Sequence, residues 1–206
     1  MYVLYGAGGM IGSRILAEAL RRGHCVKIVA RNPAKFQAAE NVEIVEGDVI
    51  DGKGMALIIK GADAVLSAVG GEPQTIRDSI PALLDGSMRA GSRRLVIVGG
   101  SGSLEVRPGV QMVDTPTFPA AYKQAASAHR DALNELRKNT TIAWTYLSPP
   151  AEIAPGKRTG KFRLGKDQLL LDATGKSAIS AEDYAVAFMD ETEQAKHIRQ
   201  RFTVAY

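Results

Sequence analysis

The stretch that decides the fold is Met1–Arg22, MYVLYGAGGMIGSRILAEALRR. Met1–Tyr5 is apolar and reads as a strand. It runs directly into Gly6-Ala7-Gly8-Gly9-Met10-Ile11-Gly12. Ile11, Ile15, Leu16, Ala19 and Leu20 then recur at helical spacing, and Arg14, Arg21 and Arg22 are expected to point outward. Glycines between a first strand and a first helix let backbone N–H groups approach a pyrophosphate with no Cβ in the way. The helix N-terminus adds roughly half a positive charge. Gly6, Gly9 and Gly12 give the spacing G-x-x-G-x-x-G; the form G-x-G-x-x-G would need glycine where Ile11 stands. Gly6, Ala7, Gly9, Met10, Ile11 and Gly12 are therefore candidate cofactor contacts. The plainer reading is a turn that only packs helix on strand. A second strand on schedule favours nucleotide binding.

That second strand, Val26–Ala30, ends in Arg31-Asn32-Pro33. Sites selective for NAD place a carboxylate here to hold the ribose 2′-hydroxyl, whereas an arginine accommodates the 2′-phosphate of NADP. A guanidinium can grip that phosphate through two parallel hydrogen bonds. Arg31 is thus expected to select NADP over NAD, with NAD still possible, and Arg14 in the first helical turn could close on the same phosphate. The plainer alternative is that both are solvated surface arginines.

Further outward, short apolar runs at Val42–Val45, Ala64–Val69, Leu95–Val98 and Ile142–Leu147 read as strands. Gly54–Lys60, Ile76–Ala90 and Ala120–Lys138 between them carry helical spacing. Continuous apolar strands alternating with helices predict a doubly wound α/β domain with a parallel sheet covered on both faces. The alternation lapses after Pro149-Pro150. A Gly- and Lys-rich loop (APGKRTGKF), a hairpin of Phe162–Leu164 with Leu169–Leu171, a helix capped by Ser180 and a strand at Arg201–Ala205 are expected there. Residues 1–206 then form one domain, with 150–206 part of a small substrate-side lobe over the strand ends.

Composition narrows the function classes. The 206 residues are 45% hydrophobic and 23% charged, ordinary for a soluble globular protein. One cysteine, Cys25, cannot form an internal disulfide and fits a reducing compartment. The absence of a long apolar run or signal-like leader leads to the expectation of a cytoplasmic protein without membrane contact. The net charge of +4 is scattered, so a nucleic-acid partner is not expected. His24, His129 and His197 are far apart, which argues against a metal site and makes them surface or helix-packing residues. Gly99-Gly100-Ser101-Gly102-Ser103 approaches the nucleophile elbow G-x-S-x-G but has serine at the fifth position. No G-x-x-x-x-G-K-[ST] occurs to support ATP hydrolysis.

With these motifs assembled, the chain resembles an atypical short-chain dehydrogenase/reductase of the NAD(P)H-binding, NmrA-like group. More narrowly, it resembles bacterial NADH-flavin reductases, relatives of the flavin/biliverdin reductases. The resemblance spans the chain and rests on GAGGMIGSR, Gly47-Asp48-Val49, SAVGG at 67–71, VIVGGSGSLEV at 96–106, DTPTFPAAYK at 114–123, and LSPPAEIAPGKRTGKFRLG with ISAEDYAVAFMDE in the tail. It implies a Rossmann-like doubly wound parallel sheet with a small C-terminal lobe over the cofactor cleft. It further implies Asp48 and Val49 beside the adenine, Ala68, Val69 and Gly70 along ribose and pyrophosphate, and Ser101 near the nicotinamide. Taken alone, Asp48 and Ser101 are equally well read as turn formers.

The superfamily's Tyr-x-x-x-Lys is missing. Tyr122 is followed by Lys123, and the fourth position on is Ala126. Adjacent helical residues do not share a face, so Lys123 cannot lower the phenol's pKa as a lysine one turn away would. Ser101 and Tyr122 remain the candidate catalytic residues, but the pattern favours an acceptor that needs little proton assistance. The expected activity is hydride transfer from NADPH to a flavin or quinone-like acceptor, with flavin as substrate rather than prosthetic group. The alternatives are a non-catalytic NADP(H)-sensing regulator and a small-molecule reductase or epimerase. Its partner would be a small-molecule acceptor, and the chain a monomer or homodimer.

Overall fold

A strand that is apolar at every position must be covered on both faces, and Tyr2–Tyr5 is buried at all four of its positions. The computed structural model describes residues 1–206. The chain runs β1 (Tyr2–Tyr5), α1 (Met10–Arg21), β2 (Val26–Ala30), β3 (Val42–Glu46), α2 (Gly52–Ile59), β4 (Ala64–Ser67), α3 (Pro73–Ala90) and β5 (Arg94–Val98). A short pair, β6 (Glu105–Arg107) and β7 (Val110–Gln111), precedes α4 (Ala120–Lys138) and β8 (Ala143–Ser148). The remainder is β9 (Glu152–Ala154), β10 (Arg163–Gly165), β11 (Ala178–Ser180), α5 (Ala181–Gln194) and β12 (Gln200–Ala205).

Eight strands form one sheet in the order β10-β12-β8-β5-β4-β1-β2-β3, parallel throughout except for β10 at the edge. Strand side chains alternate between the faces. Tyr2 and Leu4 pack with Ile15 and Ala19 of α1 and with Tyr184 and Phe188 of α5. Val3 and Tyr5 pack with Met55 of α2, Leu83 of α3 and Leu133 of α4. The chain order reverses between β1 and β4, and that switch point is where an open α/β sheet leaves a crevice at its carboxyl ends.

One feature of the C-terminal segment differs from the expectation. The hairpin does not form: β10 instead adds antiparallel to β12, with Leu164 opposite Val204, and Leu169 donates its N–H to the Glu105 carbonyl. A lone hairpin is marginal in water, whereas the edge of β12 extends an existing ladder. The rest of the tail is shared between the main sheet and a small pair beside it. β12 lies parallel beside β8 in the main sheet and α5 packs on α1, leaving only β9 and β11 as a small parallel pair outside it.

α1 and α5 are further joined by charge. Glu18, 4% exposed, accepts hydrogen bonds from Arg21, Arg22 and, across the fold, Arg158. Burial opposes the charge, but hydrogen bonds from Arg21, Arg158 and Arg22 outweigh it and hold this carboxyl well below the usual range. Arg22 also pairs with Asp190 and Glu193 of α5, both at 2.8 Å. Arg22 therefore faces α5, where the spacing alone predicted an outward side chain. No helix is long and apolar enough to cross a membrane.

Candidate functional site

A cleft of about 480 Å³ crosses the carboxyl ends of β2, β1, β4 and β5. Its floor is the turn between β1 and α1. Gly6 adopts φ +82°, and a Cβ there would lie 2.4 Å from the Ala68 carbonyl oxygen, so only glycine lets the turn approach β4 this closely. A Cβ on Gly12 would come within 2.0 Å of the Gly6 oxygen. Gly12 is buried beneath the turn and does not line the cleft. Gly9 is different. It is exposed, and a Cβ would meet nothing nearer than 3.5 Å. Gly9 caps α1 without a side-chain hydrogen bond, and the first turn carries no acidic residue. The helix thus presents unpaired N–H groups and the positive end of its dipole to the cleft.

Gly6, Ala7, Gly9, Met10 and Ile11 line the cleft from this turn, and Asp48, Val49, Ala68, Val69 and Gly70 line it from the loops after β3 and β4. Asp48 also shapes its own loop, its carboxylate accepting the Ile50 N–H at 3.3 Å. Arg31 is exposed on the rim at the end of β2 and pairs with no carboxylate. Phe36 faces the glycine turn from the same side, with its ring 3.5 Å from where a Gly8 Cβ would lie.

Besides Gly12, three expected site residues lie elsewhere. Arg14 turns from the cleft to α5, where Nε meets Glu182 Oε1 at 3.1 Å and Nη1 reaches the Met10 carbonyl at 3.4 Å. This carboxylate on α5 holds the guanidinium, and sequence spacing does not reveal it. Ser101 opens a short 3-10 turn, Ser101–Ser103, beyond the cleft lining. Tyr122 sits in the first turn of α4, 67% exposed and outside the cleft.

The cleft also gathers residues that sequence reasoning passed over: Tyr5, Phe36, Thr75, Val98, Gly99 and His129. Tyr5 is buried with its hydroxyl unpartnered, and burial, with Asp51 nearby, pushes its pKa up. His129, expected on the surface or in helix packing, faces the cleft from α4, and burial lowers its pKa to about 4. The only signal for it was its position on a helix following the Gly99-Gly100 pair. The arrangement can hold an elongated, phosphate-bearing ligand: donors at the centre, a cation at the β2 end, and a neutral imidazole at the β5 end.

A family model described as NAD(P)H-binding matches residues 6–195. The uncharacterized protein YwnB of Bacillus subtilis (strain 168) is 41% identical, with the alignment covering 98% of this chain and 96% of YwnB. Among solved structures, a Burkholderia pseudomallei protein provisionally described as exported is 50% identical with a TM-score of 0.93, over 100% of this chain and 98% of its own. A Streptococcus pneumoniae TIGR4 protein provisionally described as an NADH-flavin reductase is 31% identical with a TM-score of 0.87, over 99% of this chain and 98% of its own.

Proposed function

The chain belongs to the NAD(P)H-binding family, and from that premise we propose that it is a reductase that uses NADPH to reduce a flat conjugated acceptor, a free flavin or a quinone. The observation that carries the reading is the cleft itself. An uncapped helix N-terminus and its glycine turn lie at the switch point of the sheet, with the free guanidinium of Arg31 at the β2 rim. These residues fit a dinucleotide. Gly9 and the first turn of α1 would hold the pyrophosphate, Arg31 the 2′-phosphate, and Asp48 and Val49 would border the adenine.

A bound nicotinamide supplies the hydride, and the protein's work is binding, orientation and exclusion of water. No tyrosine–lysine pair stands at the cleft to protonate a carbonyl oxygen, since Tyr122 lies outside it and Lys123 follows Tyr122 directly. A flavin or quinone can take its proton from water, which supports that acceptor class. The description of the Streptococcus pneumoniae relative points the same way.

Purified protein mixed with NADPH and a panel of flavins and quinones should consume nicotinamide absorbance with at least one of them. Tight NADPH binding with no turnover on any acceptor would replace this reading with that of a nucleotide-sensing regulator. Cofactor choice is tested by Arg31→Ala. Loss of a charged hydrogen-bond partner costs about 1.5–3 kcal/mol, roughly tenfold to 150-fold. NADPH should weaken by that factor while NADH stays nearly unchanged. Equal affinity of the unaltered protein for both cofactors would remove the role given to Arg31.

A further inference from the structure

Val98, Gly99 and His129 close the end of the cleft opposite Arg31. β2 and β5 are separated by β1 and β4, three inter-strand steps or about 14 Å. At this far end His129 is the single titratable side chain lining the cleft, and the surrounding structure is built to hold it. A Cβ on Gly99 would lie 2.1 Å from the Tyr146 ring, and one on Gly100 would lie 2.7 Å from the His129 Cβ. The two glycines after β5 are therefore clearance for Tyr146 and His129.

Tyr146, fully buried in β8, accepts the Gly100 N–H at its hydroxyl oxygen (3.2 Å) and donates to the His129 carbonyl at 2.8 Å. With the hydroxyl proton directed to the shorter 2.8 Å contact, the His129 Nδ1 atom, 3.4 Å from that oxygen, is assigned as the N–H donor of the pair. The tautomer this selects leaves Nε2 as a bare acceptor without a partner in the chain. Burial keeps the ring uncharged at neutral pH. A neutral acceptor at this position suits a hydroxyl or amide donor and does not suit an anion.

Resting on the cofactor reading above, we propose that His129 binds the nicotinamide half of the cofactor, its Nε2 accepting a hydrogen bond from a ribose hydroxyl or from the carboxamide N–H. Tyr146 is the positioning residue that sets the ring's tautomer and orientation.

The test compares three ligands on the full chain: NADPH, 2′-phospho-ADP-ribose, which keeps the distal ribose but lacks nicotinamide, and 2′,5′-ADP, which carries only the adenine half. His129→Phe should weaken NADPH by about threefold to tenfold, the loss of one neutral hydrogen bond, and leave 2′,5′-ADP unchanged. Parallel weakening of 2′-phospho-ADP-ribose identifies the ribose hydroxyl as donor, and its indifference identifies the carboxamide. His129→Gln, which restores a carbonyl acceptor, should recover part of the loss. In the unaltered protein, the ¹⁵N resonance of Nε2 should report an unprotonated nitrogen that shifts with NADPH and not with 2′,5′-ADP, a readout that survives any folding defect in the variants. Equal weakening of all three ligands, no weakening of NADPH, or a protonated Nε2 in the free protein overturns the proposal. If the unaltered protein binds none of the three, the cofactor reading itself fails and takes this one with it.

Discussion

Tyr122 and His129 stand seven residues apart on α4, two turns on nearly the same face, yet only His129 reaches the cleft. Seven residues rise about 10 Å along a helix, which carries Tyr122 past the strand ends into solvent. General acid catalysis typically contributes about 10² to 10⁴ in rate. Tyr122→Phe should therefore change kcat for flavin reduction by less than about tenfold in stopped-flow measurement of the hydride step. A thousandfold loss would restore the phenol as proton donor. His129 makes a separate prediction in stability. Its pKa is about 4 in the folded protein and about 6.5 in an unfolded chain. Between those values the unfolded chain takes up a proton that the folded one refuses. Stability should fall by up to about 3 kcal/mol as pH drops from about 6.5 to about 4, and level off below. Urea-unfolding midpoints across this range should show the loss, and His129→Phe should flatten it above pH 4.5, before the carboxylates titrate.

The turn from β1 to α1 divides its labour among three glycines of the same spacing. Gly6 and Gly12 are demanded by close packing, at 2.4 Å from Ala68 and 2.0 Å from Gly6 for an added Cβ, whereas Gly9 has room. This separates folding from binding within one element. Gly12→Ala should lower the melting temperature, because the helix cannot approach the turn without backbone movement. Gly9→Val should keep its circular dichroism spectrum and lose nucleotide binding, since the branched side chain would occupy the space over the helix N-terminus. Unaltered binding in Gly9→Val would reduce the motif to a packing turn. The Gly99-Gly100 step after β5 follows the same physics with a different outcome. Its glycines make way for a tyrosine and a histidine, which a reading by motif, as a nucleophile elbow, cannot anticipate.

Across the whole molecule, the last quarter of the chain is bound back onto the first. β12 and α5 complete the sheet and its helical layer, and Glu18 ties α1 to Arg158 in the loop after β9. Removing one partner of a buried ion pair costs about 3–5 kcal/mol. The arginines around Glu18 retain access to water, with Arg21 and Arg158 52% and 39% exposed. Glu18→Ala should therefore cost about 3 kcal/mol, the low end of that range, seen as a lower urea midpoint. No change in that midpoint would mean the cluster contributes nothing net.

The strand runs and helical spacings of residues 1–148 were enough to determine a doubly wound parallel sheet, because continuous apolar strands have no other way to be covered. Most of the cleft was legible for a related reason. The glycine turn, the residue ending β2 and the loops after β3 and β4 occupy positions that the topology alone brings to the switch point. Tertiary structure decided the rest wherever a side chain had rival partners. Arg14 faces away because a carboxylate on α5, 168 residues later, lies 3.1 Å from it. β10 pairs with β12 because that edge was open. His129 enters the cleft because two glycines in another element let α4 close on β5. Local spacing records which face of an element is apolar, but the partner that occupies a polar or aromatic side chain is set by distances between segments far apart in the chain.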